Sequence, residues 1–390
     1  MSKNWVIVLL LAVTPLYGGW EPPDSTCTSR NLNAACFADE DRGWAVGELG
    51  TICNSLNGGS TWHIQQEGPY TYDLYDVAFI DSQTGWAVGS SGWLLHTTDG
   101  GQNWQGSQIT IYDLHAIHYV DADFGVAVGI GGSFFRTTDG GSSWSDTLIH
   151  SVPLYDVYFQ NRNLGWCTGA SIIGRTTNGG RNWDFSSVVG DLYALSFPDS
   201  LHGWACGEAG MLCRTTDGGD SWVCTSITAY SLSAISFCNS LIGWTVGSNG
   251  NVFHTTDGGA NWPSENVGLY DLNDVFFLHQ SSGWVCGDEG TILIYAPTRV
   301  EEIPGTLCPR GIRNFPNPFR NRTVFSLPQR GDLRIFDASG REVRSFRPSD
   351  GLTIVWDGRD LAGRPLPGGL YFYRFRTSNN TIVGTSVLLP

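Results

Sequence analysis

Apolar and polar positions along this chain recur with a period of about forty residues, and each period contains several short stretches that alternate in twos. Aligned on a Gly-Trp step at Gly43-Trp44, Gly85-Trp86, Gly165-Trp166, Gly203-Trp204, Gly243-Trp244 and Gly283-Trp284, with Gly125-Val126 filling the gap, the copies agree at positions that burial explains. Leu32, Leu74, Leu114, Leu154, Leu192, Leu232 and Leu272 stand at one upstream register, and Phe37, Phe79, Tyr119, Phe159, Phe197, Phe237 and Phe277 at another. The pattern predicts a first strand, then the Gly-Trp run as a second. A third is typified by Trp93-Leu94-Leu95-His96-Thr97, and a fourth follows the closing Trp of each unit. Asp-Gly-Gly between the third and fourth supplies the positive φ that a tight hairpin needs.

Seven such units, each a four-stranded antiparallel sheet, predict an all-β seven-bladed propeller over residues 19–297. The closing Trp falls at Trp62, Trp104, Trp144, Trp183, Trp222 and Trp262, and Trp20 stands where a seventh belongs, whereas the last unit ends near Tyr295 without a fourth strand. Residues around Trp20 are therefore expected to complete the last sheet and remove its open edge. Thirteen of the sixteen Trp occupy repeat positions, so their role is expected to be core packing.

Residues 1–18, with Lys3 and the apolar run Trp5 to Leu16, are expected to be a signal peptide, which places the mature chain outside the cell or at its surface with no membrane span. Residues 298–313 have the composition of a linker, and residues 314–390 that of a small β-sandwich. Charge divides the same way: 29 acids against 7 Arg and no Lys in residues 19–298, but 14 Arg against 8 acids afterwards. So acidic a propeller disfavours nucleic acid as a partner. Most of the ten Cys stand where sister repeats carry Ala, Val or Leu and are expected to be small buried hydrophobes. Cys206 with Cys213 is the nominated local disulfide.

Two stretches carry family resemblances. The unit G-W-A-V-G…T-T-D-G-G-x-x-W resembles the propellers of photosystem II assembly and stability factors. It contains the Asp box of BNR-type repeats, for example Thr97-x-Asp99-x-Gly101-x-x-Trp104, with Asn57 and Asn178 replacing two of the six acids. In that wider group, which includes sialidases, the box is a structural hairpin. Pro316-Asn317-Pro318-Phe319, Gly340-Arg341-Glu342-Val343, Trp356-Asp357-Gly358 and Gly369-Leu370-Tyr371 resemble the Ig-like sorting domain of type IX secretion cargo and the related flagellar hook-capping domain. That resemblance implies the secretion machinery as a partner. Thr385 to Pro390 lacks the basic residues common in the last strand of sorting domains.

The sequence offers no nucleophile elbow, phosphate loop or metal-ligand spacing, so no catalytic residue, metal or cofactor is assigned. The candidate binding residues precede the first strands, where the chain passes between repeats: Asp73, Asp113, Asp191 and Asp271, each one residue after Tyr72, Tyr112, Gly190 or Tyr270, with Tyr230 in the Ser231 copy. A partial ring of these Asp and Tyr, joined by Glu48, Glu208, Asp288 and Glu289, suits a carbohydrate or protein ligand. Asp76, Asp156 and Asp274 lie one register further along. The leading expectation is an exported binding scaffold; the alternatives are an Asp-box glycoside hydrolase and an assembly factor for a membrane complex.

Overall fold

The computed structural model describes residues 19–66, 72–296, 313–315, 323–326, 331–337, 341–347, 353–376 and 381–388, so the expected signal peptide, most of the linker and the Pro316–Phe319 motif lie outside the described residues. The chain divides into two compact units, Met1–Thr298 and Arg299–Pro390.

The first unit has the all-β architecture of a β-propeller, built from seven four-stranded antiparallel sheets. Six are consecutive in sequence; the first, for example, contains Leu32–Phe37, Gly43–Gly47, Ile52–Ser55 and His63–Gln66. The seventh contains Leu272–His279, Ser282–Gly287 and Ile292–Ala296, and its fourth strand is Gly19–Glu21, in which Trp20 pairs with Tyr295. First strands contact one another in chain order, and Leu272–His279 also contacts Leu32–Phe37.

Aromatic stacking between sheets explains the Gly-Trp step. Trp44 lies on Phe79 of the next sheet with ring centroids 3.5 Å apart, Trp166 on Phe197 at 3.7 Å, and Trp284 of the seventh sheet on Phe37 of the first at 3.5 Å. Each such ring is also met edge-on by a closing Trp, as Phe37 is by Trp62 at 5.8 Å; Trp20 meets Phe277 at 5.9 Å in the corresponding role. The Gly before each Trp lies under the aromatic ring of its own first strand. A Cβ at Gly165 would sit 2.6 Å from Phe159, so no larger residue fits. Val126 is accommodated because Phe124 and Phe134 pack against Phe159 instead.

Cysteine chemistry departs from expectation. Cys53 and Cys213 are not free apolar groups: the disulfides are Cys27–Cys53 and Cys213–Cys224. Cys206 stays a thiol because it pairs across the strands with Leu212, while Cys213 pairs with Ala205. One residue of register turns the two sulfurs to opposite faces of the sheet.

In the second unit a three-stranded sheet and a four-stranded sheet share one core, to which Phe325, Ile354 and Trp356 contribute from the first and Leu333, Ile335, Val343, Tyr371, Tyr373 and Phe375 from the second. The described residues contain no α-helix, hence none long and apolar enough to cross a membrane.

Candidate functional site

The Asp boxes are hairpin locks. In the second sheet the Thr97 hydroxyl donates to Asp99 Oδ1 at 2.9 Å and accepts the Gly101 N–H, while the same carboxylate oxygen accepts the Asn103 N–H at 2.9 Å. Asn57 and Asn178 use their side-chain oxygens in the same way on Thr61 and Asn182, which is why Asn substitutes there. Hydrogen bonds hold Asp139 and Asp257 down at about 2.

The second set of acids lies along the first strands. In all seven sheets the pairing of first and second strands slips one residue just after the aligned Leu, as between Leu74 and Asp76. Beyond that bulge the inner edge of each sheet presents backbone N–H groups with no strand to pair them. Asp76 accepts Val77 N–H with one oxygen and Ile117 N–H of the third sheet with the other, at 2.7 Å each. Asp156 does the same for Val157 and Leu195, and Asp274 for Val275 and Ala35. Three carboxylates thus serve six sheets in pairs. The remaining sheet has Ala234 at this register and follows one with Ala194, so it has no such acceptor.

Burial raises these carboxyls, Asp156 and Asp274 to about 6 and Asp76 well above the usual range, with mutual repulsion adding for Asp76 and Asp156. Because the folded value exceeds the unfolded one, the native state binds more protons; this contribution is full below the ordinary Asp value and is lost as pH rises through about 6. Thermal unfolding monitored by Trp fluorescence should therefore show greater stability at pH 5 than at pH 7, by about 1 kcal/mol per carboxylate. A flat profile between those values contradicts the assignment.

The candidate binding residues converge on one face with the turns between second and third strands. Asp73 Oδ1 accepts the N–H of Leu49, Asp113 that of Ser91 and Asp271 that of Asn249, each from the preceding sheet, and Asn31 does the same for Glu289. The four recipients have positive φ, from 53° to 59°, so the side chain above stabilises a strained turn. Asp191 accepts instead from the Tyr155 hydroxyl at 3.3 Å. Since Asn31 already performs the capping role, Asp73→Asn should be nearly neutral for stability, whereas Asp73→Ala should cost about 1 kcal/mol; paired denaturant titrations compare them.

The tyrosines do not form one set. Tyr112, Tyr230 and Tyr270 are about half exposed, but Tyr72 is buried against Trp93 with centroids 4.8 Å apart, so its ring offers no open stacking face. A second aromatic series stands at the bulge position itself: Tyr75, His115, Tyr155 and Tyr193 on four successive sheets, with centroid separations of 6.0, 5.5 and 5.5 Å. Asn33, Ser233 and Asn273 occupy the other three sheets. Alignment of the repeats at the residue after the conserved Leu carries this signal. Burial and the nearby charges of Asp191 and Glu208 raise the Tyr155 and Tyr193 hydroxyls, keeping both neutral. No group of three or more His, Cys, Asp or Glu among the described residues is arranged to hold a metal ion.

Comparison with known proteins fits this architecture. Among solved structures, YCF48 bound to D1 peptide is similar over 72% of this chain and 98% of its own, with 20% identity and a TM-score of 0.62. YCF48 from Cyanidioschyzon merolae is similar over 72% and 98%, with 18% identity and a TM-score of 0.59. The WD40 β-propeller domain of Doa1 covers the same shares, 72% and 98%, at 12% identity and a TM-score of 0.61, so what these share with the chain is the fold. No curated protein matches the chain. The model of the photosynthesis system II assembly factor YCF48 family matches residues 17–111, 65–146 and 186–271, more than half of the sequence. The chain therefore belongs to the photosynthesis system II assembly factor YCF48 family.

Proposed function

We propose that this protein is an exported, non-catalytic binding scaffold whose seven sheets are the blades of one closed ring, and that it holds a protein partner on the face carrying Asp73, Asp113, Asp191 and Asp271. The observation that carries this reading is the division of labour among the acids. The inner-strand carboxylates and a box acid such as Asp99 engage both oxygens within the fold, whereas each connection acid engages one, Asp73, Asp113 and Asp271 on a turn N–H and Asp191 on the Tyr155 hydroxyl, and shares its face with exposed Tyr112, Tyr230 and Tyr270. Ring closure is supported by the Trp284–Phe37 stack and by the Trp20 strand. A protein ligand is favoured over a glycan because a structure of the same fold is that of YCF48 bound to D1 peptide. Membership of this family also favours a closely related role, assembly of a membrane protein complex by holding one of its components.

The second unit is the secretion or attachment module, an Ig-like sandwich that follows the propeller. Its two sheets on one core support this, as does the Tyr371 hydroxyl, which donates to the Pro367 carbonyl at 2.7 Å in the manner of a tyrosine corner. The mature full-length chain, tested on peptide and glycan arrays beside the Asp73, Asp113, Asp191 and Asp271 to Asn quadruple variant, examines the reading. Peptide capture weakened at least tenfold in the variant is the expected result. Glycan capture alone would make the protein a lectin, and equal capture by both forms would remove this face as the site.

A further inference from the structure

Within the propeller unit the residue at the bulge of the first strand departs from the regularity of the core around it. Core positions keep Leu, Phe and Trp in nearly every copy, yet the residue after the aligned Leu runs Asn33, Tyr75, His115, Tyr155, Tyr193, Ser233, Asn273. Four neighbouring copies thus carry rings, and three carry short polar groups. All seven sheets have the same register slip at this point, and a short side chain suffices there: Asn33 and Asn273 donate to the Leu74 and Leu32 carbonyls of the next sheet, and His115 Nδ1 meets the Leu154 carbonyl in the same way. The bulge itself therefore does not demand the rings of Tyr75, Tyr155 and Tyr193.

We propose that Tyr75, His115, Tyr155 and Tyr193 form a curved aromatic wall that takes an arginine side chain of a basic peptide, with Asp191 and Glu208 as its counter-charges. This rests on the scaffold reading above and names the chemistry of its partner. The rings are only partly covered and follow one another at 5.5 to 6.0 Å; Tyr155 and Tyr193 stand 73° apart, so a guanidinium lying flat on one of them meets the other edge-on. Asp191 stands at the hydroxyl end of Tyr155, and its own backbone carbonyl accepts the N–H of Glu208, so both acids border the rings of the fourth and fifth sheets. The charges of Asp191 and Glu208 act on both phenols. Aromatic faces bordered by carboxylates select a cation that is planar and weakly hydrated, which is arginine before lysine. The surrounding unit has 29 acids against 7 Arg, so long-range attraction favours the same partner.

Replacements that sister repeats already carry at this register keep the fold intact: Tyr155→Asn, as in Asn33 and Asn273, and Tyr193→Ser, as in Ser233. The full mature chain and the double variant are titrated calorimetrically in about 0.3 M salt, where general charge attraction is screened. The probes are end-capped Gly-Arg-Gly-Arg-Gly, its Lys and Glu counterparts, and its citrulline counterpart, which keeps the shape without the charge. The inference expects the Arg peptide to bind at least tenfold more tightly than the Glu and citrulline peptides, more tightly than the Lys peptide, and at least tenfold more weakly to the double variant. Equal binding of Arg and citrulline peptides, or Arg binding that the double variant leaves unchanged, overturns it. Array capture that survives in the double variant likewise removes the aromatic wall while leaving the scaffold standing. An array on which no peptide is captured removes the scaffold reading itself.

Discussion

A chain beginning at Arg30 should melt roughly 10 °C below one beginning at Gly19 and lose a single sharp transition. The deletion removes the strand Gly19–Glu21, so Ile292–Ala296 becomes an open edge, and Trp20 no longer covers Phe277 and Tyr295. It also removes Cys27, hence the disulfide to Cys53 that closes a loop of sequence separation 26. Cross-links over loops of that size contribute about 3 kcal/mol, and in a unit of this length each kcal/mol is worth about 2–4 °C. Differential scanning calorimetry of the two chains measures the effect directly. The disulfide share is isolated by reducing the longer chain, which should reproduce only part of the loss. Unchanged melting in the shortened chain would mean that the seventh sheet does not depend on its N-terminal strand.

Trp166→Ala should cost about 3–5 kcal/mol, read as a lowered denaturant midpoint at unchanged slope. This indole is fully buried, stacks on Phe197 at 3.7 Å and donates its N–H to the Gly218 carbonyl at 2.8 Å, so its loss opens a cavity between two sheets and leaves a carbonyl unpaired. Trp166→Val should be nearly as damaging although Val126 stands at the same register in the third sheet, because the fourth-to-fifth sheet contact lacks the extra rings of Phe124 and Phe134. A cost below about 1 kcal/mol would show that the stacks between sheets are not a main source of cohesion.

The architecture of the first unit was legible because its spacing is rigid. The Gly-Trp step, the aligned Leu and the closing Trp each answer to one packing contact, and the missing fourth strand of the last repeat pointed back to Trp20. Legibility failed where a residue's role depends on a neighbouring sheet or falls outside the repeat. Cys27 precedes the first repeat unit, and Cys224 sits in the fourth strand, which is mostly exposed and carries the weakest pattern, so neither announced its bond. Asp76, Asp156 and Asp274 share a register in the second, fourth and seventh repeats with no role visible in sequence; their pairing of two adjacent sheets explains both that spacing and the copy left out.

The candidate site was half legible for a related reason. Asp73, Asp113 and Asp271 share a register in the sequence and share a face in the structure, but their oxygens turn out to cap positive-φ turns of the preceding sheet. Tyr72, identical in sequence context to Tyr112 and Tyr270, is buried by Trp93, a residue that the other third strands lack at this position. The aromatic series at the bulge has no periodic signature because strand alternation breaks there, so no template assigns those side chains to a side.

Site-specific photo-cross-linking tests the central claim, that a protein partner is held on the connection face, most directly. A benzophenone side chain is placed at Tyr112 on that face or at Gln105 on an exposed fourth strand, and each full-length form is irradiated in its native cells. The account predicts a discrete cross-linked protein from the Tyr112 position, diminished by the Asp-to-Asn quadruple variant, and none from Gln105. A discrete product from Gln105 with none from Tyr112 would contradict it.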